Sequence, residues 1–224
     1  MPRKRRGMPD LSFEVLSASP AVDMLTPAIT FDLRITNRFS QESVQTVLLR
    51  CQIQIEVARR RYSSQEQQQL RDLFDEPGRW ADTLRPITWT NLSLNVPAFT
   101  DATVYRLIVP CSFDFSVATA KYFHAIEKGD VPLTFLFSGS VFYSGAEGLL
   151  QIAPISWNKE ARFRLLVETW KSVMDMHQAN AVCLNLRRDV FEELYRFKTS
   201  LGIATFEETI QRMLAIAERE RPLS

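Results

Sequence analysis

Between Thr103 and Tyr143 the apolar side chains change their repeat twice, and this constrains the fold more than any other feature of the chain. Tyr105, Leu107, Val109, Cys111, Phe113 and Phe115 recur at every second position, which puts them on one face of an extended segment. Arg106, Ser112 and Asp114 fall on the other face. Residues 117–126 switch to helical spacing, with Ala120, Phe123 and Ile126 on one side and Gly129 as the stop. From Val131 to Tyr143 the chain is nearly continuously apolar, as a strand covered on both faces would be. Nothing in this centre resembles an active site.

The flanking segments have the same character. Leu11, Phe13 and Val15 alternate with polar neighbours, as do Ile29, Phe31, Leu33 and Ile35, and then Val47, Leu49, Cys51, Ile53, Ile55 and Val57. The second and third of these strands are joined by a short polar link and are expected to pair antiparallel. Ser63 and Glu66 have capping-box spacing, so a helix is expected from Ser64 to about Phe74, with Pro77-Gly78 stopping it. Residues 59–80 read as an insertion offered to a partner. A fourth strand over 87–96 places Thr88, Thr90, Leu92, Leu94 and Val96 on one face.

Downstream, 144–148 reads as a hairpin loop leading into 149–155, and strand gives way to helix near Glu168. Residues 182–186 form a short strand. A helix to about Leu201 buries Val190, Leu194, Phe197 and Leu201, with Asp189 and Glu192 capping it and Gly202 ending it. Thr205 and Glu208 open a last helix whose stripe is Phe206, Ile210, Met213, Leu214 and Ala217. The fold class is therefore α+β, a mostly antiparallel β-sheet with a helix insertion and C-terminal helices. The organisation is a basic tail over 1–10, one domain over 11–202 and a C-terminal helix over 203–224.

With 224 residues, 46% of them hydrophobic, the chain can bury a substantial core. Its net charge is +1, and Arg3, Lys4, Arg5 and Arg6 contribute four positive charges, leaving −3 for the rest. That balance gives no reason to expect nucleic acid as a partner, and no apolar run reaches the roughly 20 residues of a membrane span. Cys51, Cys111 and Cys183 lie far apart in apolar contexts, which fits buried thiols in a reducing, cytoplasmic setting.

Catalytic chemistry finds little support. His124 and His177 are the two histidines, and neither lies beside a nucleophile in sequence. The glycines show no phosphate-cradling spacing. No cofactor and no metal is expected. Four tryptophans and fifteen phenylalanines exceed the needs of a small core, so some are expected on binding grooves for apolar protein segments. Trp80, Trp89, Phe99, Phe123 and Phe142 are the candidate partner-binding residues. The expected function is a non-enzymatic, chaperone-like or assembly-factor module, a homo-oligomer that binds a protein client. The rivals are a metal-handling or redox accessory enzyme using Cys183, His177 and Asp175, and a structural subunit of a larger complex.

Two resemblances add to this. The phrases Leu49-Arg-Cys-Gln52, Lys121-Tyr122 with His124-Ala125, Val131-Pro-Leu133, Leu136-Phe-Ser-Gly139 and Val141-Phe142 resemble a bacterial family known only as a domain of unknown function. That resemblance implies an accessory role near nickel–iron hydrogenases. Leu11-Ser-Phe-Glu14, the long alternating strands, and Cys183-Leu-Asn-Leu186 followed by Phe191, Leu194 and Tyr195 are similar to the layout of SecB-type export chaperones. It implies an oligomer that holds unfolded chains without nucleotide or metal. The insertion, the extra helix after Gly202 and the absence of a strongly acidic surface depart from that layout.

Overall fold

A computed structural model describes residues 8–38, 43–111, 117–145, 148–178 and 186–219. They divide into two compact units, with the boundary between Asn180 and Ala181.

The first unit contains eight strands: β1 (Leu11–Pro20), β2 (Ala28–Asn37), β3 (Val44–Ile55), β4 (Ile87–Val96), β5 (Ala102–Pro110), β6 (Asp130–Ser144), β7 (Leu150–Pro154) and β8 (Glu160–Leu166). The sheet is antiparallel throughout, as the alternating segments predict, but it is divided in two. One sheet runs β1-β2-β5 and the other β4-β3-β6-β7, with β8 also paired to β6. This is an immunoglobulin-like order in which strands one, two and five face three, six and seven, here with β4 on the second sheet.

The expected pairing of β2 with β3 is therefore corrected. β2 lies between β1 and β5, and β3 between β4 and β6. Each strand has one apolar face, and burying both faces at once puts the strands in opposite sheets across the core. Phe31 of β2 meets Phe135 of β6 at 5.3 Å and Phe163 of β8 at 5.9 Å, and Phe13 stacks on Phe137 at 4.2 Å. In β6, Val131 to Phe135 are buried on both faces as expected, while the second half alternates. Gly139 is required there: its φ is +136°, and a Cβ would lie 2.0 Å from the Leu48 carbonyl oxygen.

Helices close one end of this sandwich. They are α1 (Ser64–Gln69), α2 (Arg71–Phe74), α3 (Trp80–Thr83), α4 (Val117–Ala125) and α5 (Val167–Gln178). The Ser63–Glu66 capping box forms as expected, and the strand-to-helix change falls at Val167. The predicted helix over 64–74 breaks once, at Leu70.

The second unit is a helical hairpin, α6 (Arg188–Ser200) and α7 (Phe206–Arg219). Gly202, at φ +66°, donates its amide to Thr199 O at 3.2 Å, and the Ile203 amide reaches Lys198 O at 3.1 Å. These two bonds end α6 in a Schellman motif. α6 groups with α7, not with the sandwich. The strand expected over 182–186 and the continuation of β5 to Phe115 lie largely outside the described residues.

Candidate functional site

Four of the five aromatic side chains expected at a binding surface are in the core. Trp80, Trp89, Phe99 and Phe123 are each 9% exposed or less. Phe123 stacks face to face on Trp170 at 4.1 Å, and Trp89 meets both Phe123 and Trp170 within 6 Å. Trp80 packs against Tyr62 and Phe74 and donates its indole N–H to Asp75 O at 2.9 Å. Through Tyr122 these rings form a continuous aromatic chain from the insertion to Phe31 in the sandwich. The aromatic surplus is thus used to plug the open end of the sandwich. Trp89 enters that plug because the β3–β4 register shifts at Ile53/Gln54, moving it to the inner face in place of Thr88. Phe99 forms a bridge with Val44, and Phe142 alone stays half-buried, opposite Ile152 on β7.

The insertion also turns inward. Leu70, Phe74 and Trp80 are buried, and Asp72 pairs with Lys121 of α4. Beneath it Arg60 donates to Glu66 at 2.7 Å, Asp130 O at 2.6 Å and Lys128 O at 2.8 Å. Glu66 also accepts the amides of Ser63 at 2.9 Å and Glu127 at 3.1 Å. Burial opposes the charge on Glu66, but these amides and the guanidinium outweigh it and hold the carboxyl below its ordinary range. Tyr62 donates to Val57 O at 2.7 Å and lies 3.0 Å from the Tyr122 hydroxyl, and burial pushes its pKa up to about 12. Arg60 Nε is left unpartnered among the described residues. This arrangement fastens the insertion to the α4–β6 turn. Sequence spacing identified Glu66 only as a cap.

The metal-handling rival meets a geometric obstacle at His177. Its Nδ1 lies 3.0 Å from Val173 O and its Nε2 3.0 Å from Met24 O, so both ring nitrogens already face carbonyls. Asp175 is exposed, and Cys183 lies outside the described residues. Among the described residues no three His, Cys, Asp or Glu side chains converge as metal ligands. Cys51 and Cys111 are free and buried, and burial alone pushes the Cys51 thiol up to about 12.

Open surface among the described residues includes two larger grooves. On the outer face of the larger sheet, Arg50, Gln52, Asn91, Ser93 and Ser138, with Leu92 and Leu136, line a groove of mixed polar and apolar character of about 380 Å³ beside Trp157, which is 92% exposed. On the hairpin, Leu186, Val190, Leu194 and Phe197 face Ile210, Met213, Leu214 and Ala217 across an apolar groove of about 650 Å³, with Glu193 the one charged side chain along it. The expected burial of Val190, Leu194, Phe197 and Leu201 is corrected here: Leu194 is half-buried, the other three are exposed, and α6 has no buried residue. Both stripes follow a four-three-four spacing, 190-194-197-201 and 206-210-213-217, the seam of packed helices. Two helices of this length present such seams without being able to enclose them.

A family model describing proteins of unknown function matches residues 8–222, nearly the whole chain. The chain belongs to that family, DUF6084. No curated protein matches the DUF6084 chain. Among solved structures it is similar to the CARDB domain of a Pyrococcus furiosus protein, crystallised with di-metal ions, at 8% identity and TM-score 0.28, covering 70% of this chain and 92% of that one. It is also similar to β-glucosidase 3B from Thermotoga neapolitana, at 9% identity and TM-score 0.25, covering 70% of this chain and 17% of the enzyme. The ApaA protein of Bordetella pertussis gives 15% identity and TM-score 0.23, covering 70% and 93%. Likenesses at these scores carry no functional argument. No helix among the described residues is long and apolar enough to cross a membrane.

Proposed function

We propose that this DUF6084 chain is a non-enzymatic protein-binding module, a chaperone-like or assembly factor that holds apolar segments of another protein. One observation carries the reading: the hairpin groove, lined on both sides by aliphatic, methionine and phenylalanine side chains. Such a groove accepts an amphipathic helix through its i, i+3/i+4, i+7 side chains. Contact there exchanges water for apolar surface at about 25 cal/mol per Å², less the cost of ordering both partners. Met213 adds an unbranched, polarisable side chain that repacks around different shapes. Hydrogenase subunits enter as candidate clients through the family resemblance alone.

The test is aggregation of a reduced, unfolded protein followed by light scattering, with the full chain added in equimolar amount. Suppression is expected, and it is expected to be lost in Met213→Asp/Leu214→Asp while circular dichroism and melting stay native. A wild-type chain that leaves the scattering curve unchanged refutes the proposal.

A further inference from the structure

The outer faces of the two sheets are made from different chemistry. On the smaller sheet the outward positions carry charges of both signs that pair with one another, Arg34 with Glu14 at 3.1 Å and Arg106 with Asp32 at 3.9 Å, as suits a solvated sheet face. On the larger sheet, β3, β4 and residues 131–144 of β6 contain one charged side chain among them, Arg50. Around it stand carboxamides and hydroxyls. Antiparallel register sets Ser93, Arg50 and Ser138 in one row across the sheet and Asn91, Gln52 and Leu136 in the next. Gln54 extends the pattern, its amide donating to Gln52 Oε1 at 3.1 Å. Glu160 lies beside Leu136 on β8 but is already paired with Arg162 at 2.9 Å, and Arg50 has no carboxylate partner among the described residues.

An indole bounds the groove over these rows. β7 pairs with β6 from Ser140 onward and β8 pairs with it up to Leu136, and the chain between them loops out opposite Ser138. The Ile155 amide donates to Gly139 O and the Phe137 amide to Lys159 O, each at 2.9 Å, which fastens the loop on both sides. A turn from Ser156 to Lys159, closed by the Lys159 amide on Ser156 O at 3.2 Å, carries Trp157 at its second position. Trp157 is 92% exposed, whereas Trp80, Trp89 and Trp170 are buried. Its indole adds almost no burial to the fold and presents a broad aromatic surface beside the groove.

We infer that this groove is a binding site for a saccharide that bears a carboxylate, separate from the hairpin and independent of its reading. Three features select that chemistry. Carboxamides and hydroxyls both donate and accept, as the hydroxyls of a sugar ring do, and the sheet holds them at fixed spacing. The negative π face of an indole attracts the polarised C–H bonds of a pyranose. One unpaired guanidinium matches one carboxylate in bidentate geometry. Other occupants fit less well. β3, the centre of the floor, is already paired on both sides with β4 and β6, so no peptide strand can add to it. A nucleotide's phosphates call for several cations or a nest of free amides, and this floor has one cation and amides engaged in the sheet. At about 380 Å³ the groove is at the small end of ligand sites, the scale of a mono- or disaccharide.

The test offers the full chain a panel of immobilised oligosaccharides, neutral, uronate-bearing and methyl-esterified, and follows the bound members in solution by acrylamide quenching. With three of the four tryptophans buried, the quenchable fluorescence comes from Trp157, and a bound sugar shields it. Binding to uronate-bearing members is expected, about tenfold tighter than to their methyl esters. Trp157→Ala is expected to lower affinity about tenfold with the thermal melt unchanged, since the side chain is exposed. Arg50→Gln is expected to abolish the discrimination between acid and ester while affinity for the ester stays at the wild-type value. A chain that binds no saccharide on the panel, binding that survives Trp157→Ala, or acid and ester bound alike by the wild type overturns the inference. So does shielding of Trp157 by the unfolded client of the aggregation assay and not by sugar, which assigns this face to protein. The hairpin is decided by Met213→Asp/Leu214→Asp, so the two readings fail separately.

Discussion

Helices α5 and α6 are almost the same length, 12 and 13 residues, and both carry apolar side chains at helical spacing, yet they meet opposite fates. α5 sinks Val167, Trp170 and Val173 into the end of the sandwich, where Trp170 stacks on Phe123. α6 buries nothing. The difference lies in what each helix has to cover. The sandwich has an open end whose core residues need a lid, and α5 follows β8 without a break, already in place to supply it. α6 has only α7 beside it in its own unit, and a pair of short helices has no interior. An amphipathic stripe therefore states a demand for a neighbour and leaves the neighbour unspecified.

The contrast is most directly challenged by truncating one large side chain on each side of it. Trp170→Ala removes the centre of the plug and is expected to cost about 3–5 kcal/mol in urea unfolding. Leu214→Ala, at a side chain 59% exposed, is expected to stay within about 0.5 kcal/mol. Equal costs would mean the hairpin is enclosed as fully as the sandwich.

The latch sharpens the same contrast. Glu66→Gln leaves the Arg60 charge buried with carbonyl partners alone, and a loss of about 3 kcal/mol is expected at pH 7. Because the folded carboxyl titrates below its ordinary value of 4.5, its contribution is complete above that pH and is lost as pH falls through the folded value. The stability gap between wild type and Glu66→Gln should accordingly narrow below pH about 4.5, and a gap independent of pH would show that the ion pair is not its source.

The smallest effect is one of reactivity. With its thiol pushed up to about 12, native Cys51 should alkylate at pH 8 about three orders of magnitude more slowly than in denaturant, with Cys111 similarly protected. Peptide mapping by mass spectrometry reads both sites. Rapid native labelling would show that the sandwich opens as readily as the hairpin is exposed.

Much of the fold is legible from local pattern. The alternation in 29–35 and 47–55, the Ser63–Glu66 cap, the helix after residue 117, the passage into helix at Val167 and the Gly202 terminus all follow from periods of two and 3.6 and from backbone preferences. The candidate site was less legible. Trp80, Trp89, Phe99 and Phe123 were expected on a surface because the sequence shows an aromatic surplus without the sandwich end that consumes it. The hairpin stripe was visible as Val190, Leu194, Phe197, Ile210, Met213 and Leu214, but spacing alone does not tell a covered face from an uncovered one.

By itself, then, the sequence determined which segments extend, which coil and which side of each is apolar, since these depend on neighbours within a few residues. Only the tertiary structure decided that β2 and β3 face each other across a core, that Arg60 meets Glu66 beneath the insertion, and that α6 stays open. The physical reason is that burial is a property of pairs of surfaces: a chain encodes each surface locally, and long-range packing selects the pairs.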